Sequence, residues 1–479
     1  MSFSSFEFIF IFLPLVLIIY FGMSRFVTRT VQHIFLIVAS LVFYGYADPR
    51  YIILILSSIA INYISARGIE SIDQKHLRKT IFTLAILFNV LLLGYYKYYN
   101  FFVHNINDIL NTNIDTLKLL ILPLGISFFT FQQIAFLISI WKKEDKVPNL
   151  TDYTLFITFY PQIVAGPIVF WKDVATQYQN EKNRFFNTDD FNRGLYIFAI
   201  GLFKKVMIAD SLSLFTTNGF INELGHLSFG GAWITSLAFT MRIFFDFSGY
   251  SDMAIGLAKM MNINLPVNFY SPYKSKSITE FWKRWHITLG RSLAVLIYYP
   301  LGGNRKGLAR TCFNLFMVFL VSGIWHGAAW TFVIWGIAHG VVRVFEKLFD
   351  KYLDKIPSFI RVFFTFMFVN AAWVLFNSYT LDRALLILKQ MFWPDKISFE
   401  GINNLANDMV LRYTSEVQTV YVLLFIAVTM GITFIYKKNS IDLYNQFRAT
   451  KTNAFITALL LSITVFNLSR AVTFIYFNF

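Results

Sequence analysis

The stretch Val321-Ser322-Gly323-Ile324-Trp325-His326-Gly327-Ala328-Ala329-Trp330 lies inside an apolar run extending from about 309 to 340. Such a run is long enough to cross a hydrocarbon core, which takes roughly 20 residues of helix. It also contains an ionisable ring, His326. A titratable side chain at membrane depth is costly unless it faces a cavity or the protein interior, so it marks a candidate site.

The rest of the chain repeats the apolar theme. Of 479 residues, 56% are hydrophobic and only 14% are charged, too little polar surface for a soluble chain of this size. Spans are predicted near 6–23, 31–47, 51–66, 80–98, 116–140, 194–214, 231–258, 309–340, 359–377, 419–436 and 453–475. The expected fold is an all-α polytopic membrane protein with about eleven transmembrane helices, forming a single domain over 1–479. The first run, Phe6 to Met23, has no basic leader before it and no small-residue cleavage site after it, so it reads as a retained helix. The single cysteine, Cys312, lies in an apolar stretch and forms no internal disulfide.

Lys and Arg number 42 against 27 Asp and Glu. The excess falls in short loops between apolar runs, the positive-inside pattern, and does not point to nucleic acid. Arg25 and Arg29, then Arg67, Lys75, Arg78 and Lys79, then Lys142, Lys143 and Lys146 mark one side. The segment from Asn105 to Asp115 carries no Lys or Arg. The N-terminus is therefore predicted outside, with Lys172 to Arg193, Lys259 to Arg284, Arg305 to Arg310 and Lys437 to Lys451 in the cytoplasm. Residues 382–416 suit an amphipathic interfacial helix. Two apolar stretches, 153–170 and 287–301, are broken by Pro or Gly and read as re-entrant. Irregular backbone survives at membrane depth only where protein or a watery cavity satisfies it.

Four stretches bear on chemistry. In Tyr160-Pro161-Gln162-Ile163-Val164-Ala165-Gly166-Pro167, two prolines and a glycine interrupt any helix, whether as a kink or as a re-entrant turn. In Arg242-Ile243-Phe244-Phe245-Asp246-Phe247-Ser248-Gly249-Tyr250-Ser251-Asp252, the four-residue spacing of Arg242 and Asp246 predicts an internal ion pair, with Asp252 turned to another partner. Phe281-Trp282-Lys283-Arg284-Trp285-His286 and the following Tyr298 to Lys306 combine aromatic and basic residues. They fit a headgroup anchor, or a site where Lys283, Arg284, Arg305 and Lys306 draw a phosphate-bearing donor from the cytoplasm. Gly302-Gly303-Asn304 reads as a turn. His339, thirteen residues beyond His326, is expected on nearly the opposite face of a continuous helix and reads as structural. His33, His76, His104 and His226 have no comparable setting, and no metal-ligand spacing is visible.

Taken in order, Leu122-Pro123-Leu124-Gly125-Ile126-Ser127-Phe128, the Tyr160 to Pro167 break, Asp246 to Asp252, Phe281 to His286 and Ile324-Trp325-His326-Gly327 resemble the membrane-bound O-acyltransferases. The resemblance is to a bacterial branch holding alginate O-acetyltransferases, peptidoglycan O-acetyltransferases and the D-alanyl transfer protein of teichoic acids. It implies a helical bundle around a central funnel or tunnel, a catalytic histidine at His326 and a second functional one at His286. It further implies acyl transfer from a cytoplasmic thioester, acetyl-CoA, to an outer hydroxyl, with no bound cofactor, in a bacterial cytoplasmic membrane. An extracytoplasmic transferase partner would complete modification of the polymer. One departure stands out: the family's Arg-Asp dipeptide before the Tyr-x-Pro-Leu-Gly-Gly stretch is replaced by Ala294-Val295. Chemically, His326 is expected to act as general base, and His286 to orient the thioester or donate to an oxyanion. D-alanyl transfer, or a transporter or flippase built from broken helices, are the competing readings.

Overall fold

In the computed structural model, residues 1–117, 122–221, 227–399, 415–470, 472, 474 and 475 are described. Their regular elements are all helical, with no strand among the described residues. Five helical stretches are long and apolar enough to cross a membrane: Phe8–Arg25, Arg50–Ser71, Lys75–Leu110, Gly307–His326 and Ser358–Asn377. Their outer faces are apolar as well. Ile18, Ile53, Ile64 and Phe359 are 69%, 71%, 70% and 75% exposed, an arrangement suited to lipid.

Contacts divide the chain into two units interleaved in sequence. The first comprises Met1–Ala199, Tyr250–Val267 and Phe447–Thr457; the second comprises Ile200–Gly249, Asn268–Gln446 and Ala458–Phe479.

In the first unit, the broken stretch 153–170 forms a helix Leu150–Thr158 and a single turn Tyr160–Ile163. Residues 155–169 are all buried. The interrupted backbone finds protein partners: the Tyr160 amide donates to Ser40 Oγ at 3.1 Å, and Gln162 Nε2 donates to the Phe156 carbonyl at 2.5 Å. That satisfies the condition under which irregular backbone is tolerated in a membrane protein. Among the described residues of the predicted span 116–140, the helix is Ile126–Trp141. Gly125 before it has φ +69, and a Cβ there would stand 2.3 Å from the Ile163 carbonyl, so the helix starts at the glycine. Residues 118–121 of that span lie outside the described residues.

In the second unit, the predicted span 309–340 is two helices, Gly307–His326 and Trp330–Leu353. This corrects the sequence reading. The turn is Gly327-Ala328-Ala329, apolar throughout, so hydropathy passes over it while the backbone reverses. A Cβ on Gly323 would lie 2.4 Å from the Phe332 carbonyl, and one on Gly336 2.6 Å from the Phe319 carbonyl. The two glycines let antiparallel arms pack with backbones in contact, as small residues do between membrane helices. The stretch 287–301 gives a short apolar helix, Ile287–Tyr298, too short to span, followed by a turn in which Gly302 and Gly303 take φ +104 and +59. Asn314 Nδ2 holds that turn through the Gly303 carbonyl at 2.8 Å. Residues Leu381–Phe392 form the expected amphipathic helix; residues 400–414 of that prediction lie outside the described residues. His226 does too.

Candidate active site

His326 is the last residue of its helix, at the tip of the hairpin, and is 3% exposed. Three rings enclose it: Trp325 at 5.0 Å, Trp335 at 5.2 Å and Phe376 at 5.1 Å between centroids. A Cβ on Gly327 beside it would stand 2.1 Å from the Phe332 ring, so that ring would have to move to admit one. The carboxyl end of a helix carries partial negative charge and favours a nearby cation by about 0.3–2 kcal/mol. An imidazolium formed at His326 is stabilised by that field.

His286 is fully buried and heads the helix Ile287–Leu293 with φ 46, a left-handed conformation rare for a residue with a side chain. Asn268 holds it there. The Asn268 carbonyl accepts from the Ile287 amide at 3.0 Å, and its Oδ1 lies 3.1 Å from His286 Nδ1. The same Oδ1 accepts from the Thr288 amide at 3.3 Å and from the Thr288 hydroxyl at 3.0 Å. A backbone amide can only donate, so the Asn268 atom facing it is oxygen, and His286 Nδ1 carries the proton. Nε2 of the neutral ring holds the lone pair. A donor role toward an oxyanion therefore requires the doubly protonated ring, whereas accepting a hydrogen bond does not.

Both histidines pack on Trp325, which is 6.3 Å from His286 and 5.0 Å from His326 between ring centroids. The sequence separates them by forty positions; the fold sets them on one indole. The short helix Ile278–Trp282 that leads to His286 is fixed from the hairpin's second arm. Glu346 accepts from the Ile278 amide at 2.5 Å, the Thr279 amide at 2.9 Å and the Thr279 hydroxyl at 2.6 Å. Neither Glu346 nor Asn268 is marked by any local signal in the sequence.

His339 is not opposed to His326 on one helix. The hairpin folds it back so that both contact Trp335, with His339 at 4.7 Å. Trp282 Nε1 donates to His339 Nδ1 at 3.2 Å, and the ring is enclosed by aromatic side chains, in keeping with a structural role.

The predicted basic cluster is dispersed in its engagements. Arg284 pairs with Glu280 at 2.6 Å and is half-buried; Lys283, Arg305 and Lys306 are exposed. The expected Arg242–Asp246 pair gives way to another arrangement. Arg242 donates to Thr216 Oγ1 at 2.6 Å, while Asp246 Oδ1 lies 2.9 Å from Lys205 Nζ. Lys205 also binds Asp210 at 2.5 Å and the Val472 carbonyl at 2.9 Å. The acids in turn accept from the Val472 and Ile475 amides at 3.2 and 2.8 Å. This buried centre holds the backbone at Val472 and Ile475, and Phe474 packs on Phe247, which stands edge-on to His286 at 4.7 Å. His33, passed over in the sequence, lies 2.8 Å from Asp152 in a buried pair of the first unit.

Fold and site together define a multi-pass helical membrane protein with a buried centre of two histidines around one tryptophan. The membrane-bound O-acyltransferase family model matches residues 126–381, which include both histidines and the whole hairpin. The chain belongs to the membrane-bound O-acyltransferase family and is an acyltransferase. It is 39% identical to the peptidoglycan O-acetyltransferase of Helicobacter pylori, over 98% of this chain and 96% of that protein. It is 37% identical to the probable alginate O-acetylase AlgI of Pseudomonas putida, over 82% of this chain and 80% of that one. With the teichoic acid D-alanyltransferase of Bacillus subtilis it shares 27% identity over 53% of this chain and 68% of that protein.

Proposed function

We propose that the chain transfers an acetyl group from cytoplasmic acetyl-CoA across the membrane to a hydroxyl on the outer side, for O-acetylation of a cell-envelope or secreted polysaccharide. The observation that carries this reading is the burial of His326 at a helix carboxyl end, sharing Trp325 with His286. Similarity to O-acetyltransferases of peptidoglycan and alginate supports the acyl group and the acceptor class.

His326 removes the proton from the acceptor hydroxyl as the oxygen attacks the thioester carbonyl. The tetrahedral oxyanion collapses, the carbon–sulfur bond breaks, and the thiolate takes the proton from the imidazolium. The helix end favours the charged ring during the interval. His286, with Nε2 as acceptor, orients the donor by taking a hydrogen bond from one of its amide N–H groups. The thioester supplies the driving force.

The hairpin supports the predicted orientation. Were 309–340 one span, alternation from an outside N-terminus would strand the basic segment Lys437 to Lys451 outside. Two arms return the chain to the cytoplasm through Arg343, Lys347, Lys351 and Lys355, and 437–451 then falls inside. The acetyl group is handed to a separate extracytoplasmic transferase, since the longest hydrophilic stretch, 382–416, is short for a polymer-binding domain. Purified protein incubated with labelled acetyl-CoA and a hydroxyl acceptor tests the reading. CoA release with acetylation of the acceptor, lost in His326→Ala, is expected; intact donor crossing the bilayer would contradict it. Full polymer acetylation by the chain alone would remove the partner.

A further inference from the structure

The helix Ser415–Phe434 runs into Lys437 and Lys438, where the topology proposed above brings the chain out at the cytoplasmic face. Its outer side exposes Val428, Ile432 and, just past its end, Ile435. At Gly431 the surface is bare, since a Cβ there would meet nothing within 4 Å. Gly431, Ile432, Ile435 and Leu443 line an open groove of about 630 Å³. Ile432, Tyr436, Lys438 and Leu443 also line a cavity of about 230 Å³ in the second unit, so the two spaces share a border.

Inside, the cavity is apolar, with Phe203, Phe244, Phe245 and Phe269 in its wall. Rings in contact close its inner side: Phe269 lies 5.0 Å from Trp285 and 4.9 Å from Phe247, and Phe244 lies 5.4 Å from Tyr273. A blind chamber smaller than the roughly 300–1,000 Å³ of drug-sized sites takes the end of one slender apolar chain. Charge is confined to the rim. Among the described residues lining groove and cavity, every charged side chain is a lysine: Lys204, Lys274, Lys437 and Lys438. Lys274 Nζ donates to the Tyr436 carbonyl at 2.5 Å and Lys438 Nζ to Gln446 Oε1 at 2.7 Å, both neutral acceptors. Lys204 Nζ lies 3.5 Å from Ser440 Oγ. The neighbouring acid, Asp442, accepts from the Tyr270 hydroxyl at 2.8 Å and the Asn439 amide at 3.0 Å. Burial, and secondarily the charge of Arg284, hold the Lys274 ammonium below its usual range, opposed by Asp442. An anion at the rim would act with Asp442 and raise it.

We infer that groove and cavity form one site for an anionic phospholipid of the cytoplasmic leaflet. Its headgroup phosphate sits among Lys204, Lys274, Lys437 and Lys438, one acyl chain lies along Gly431, and the end of the other enters the cavity. Lysines just cytoplasmic of a spanning helix attract anionic headgroups, and buried methylenes add to the hold. A soluble anion would leave the apolar walls unused, and a neutral lipid would leave the lysines unmatched. The bound lipid ties the end of Ser415–Phe434 to the segments Lys204–Ala209 and Pro272–Lys274, which are far from it in sequence. It takes no part in the proposed reaction, so the site and that reaction stand or fall separately.

The test is native mass spectrometry of the full chain released from bilayers holding equal phosphatidylglycerol and phosphatidylcholine with the same acyl chains. Retained phosphatidylglycerol should exceed phosphatidylcholine by at least about tenfold, the effect of one charge-assisted hydrogen bond. Changing the four lysines together, Lys204→Gln, Lys274→Gln, Lys437→Gln and Lys438→Gln, should bring the ratio near one, and the matching Lys→Arg variant should keep it. Gly431→Phe leaves every lysine in place and fills the groove from a position facing open space. It should lower retained phosphatidylglycerol several-fold while melting in phosphatidylcholine is unchanged. Equal retention of the two lipids by the wild type would overturn the site. So would a preference that survives in the glutamine variant or is untouched by Gly431→Phe. Displacement of phosphatidylglycerol by inorganic phosphate at constant ionic strength would assign the lysines to a soluble anion and overturn it too.

Discussion

At the scale of single residues, the proposed chemistry rests proton removal on His326 and the orientation of the second ring on Asn268. Replacing His326 with Ala should lower acyl transfer by about 10²–10⁴-fold, the usual worth of a positioned base, while membrane insertion is retained; undiminished transfer would remove its role. Asn268→Leu keeps volume but leaves Nδ1–H of His286 without its acceptor oxygen. Turnover should fall by about tenfold or more, and nitrogen-15 NMR of the histidines should show His286 losing its Nδ1–H tautomer. Unchanged tautomer and rate would contradict the clamp. His326 was legible in the sequence because an imidazole in an apolar run is an energetic anomaly. Asn268 was not, since an asparagine eighteen positions before its partner looks like any loop residue until the turn around His286 closes.

The element that sets the site is the hairpin of Gly307–His326 and Trp330–Leu353. Its arms close on Gly323 and Gly336, and Gly336→Val drives methyl groups toward the Phe319 carbonyl. The expected cost is about 1–3 kcal/mol of overpacking, measured as a lower melting temperature together with loss of activity; unaltered melting would mean that the arms are not tightly apposed. The Lys205 centre is a second such element. Lys205→Met leaves Asp210 and Asp246 buried without their cation, and breaking a buried pair this way costs about 3–5 kcal/mol. Melting in detergent should fall accordingly, and a double change of Lys205→Met with Asp246→Asn should recover part of the loss. Hydropathy announced the apolar runs but not the hairpin, because Gly327-Ala328-Ala329 reverses the backbone without adding polarity. The Arg242–Asp246 spacing misled for a related reason. Helical periodicity lists neighbours on one helix, whereas Asp246 is reached by Lys205, forty-one positions earlier.

For the whole molecule, the hairpin and the charged loops together predict an outside N-terminus and a cytoplasmic return at Arg343 to Lys355. In a Cys312→Ser background, single cysteines at 306 and 351 should react with membrane-impermeant thiol reagents only from the cytoplasmic face. A cysteine at 48 should react from the outer face. Labelling of 306 and 351 from opposite faces would contradict the two-armed topology. The multi-pass helical class was readable from composition, since burying so few charges leaves no other solution; the pairing of distant segments into one centre was not, because no local pattern encodes it. Vectorial acyl transfer is the central claim, and proteoliposomes holding labelled acetyl-CoA on the cytoplasmic face of the chain test it most directly. CoA left on that face and labelled acetyl ester on an acceptor at the other are expected, both absent with His326→Ala. Equal ester formation by the variant, or intact acetyl-CoA recovered on the acceptor side, would contradict it.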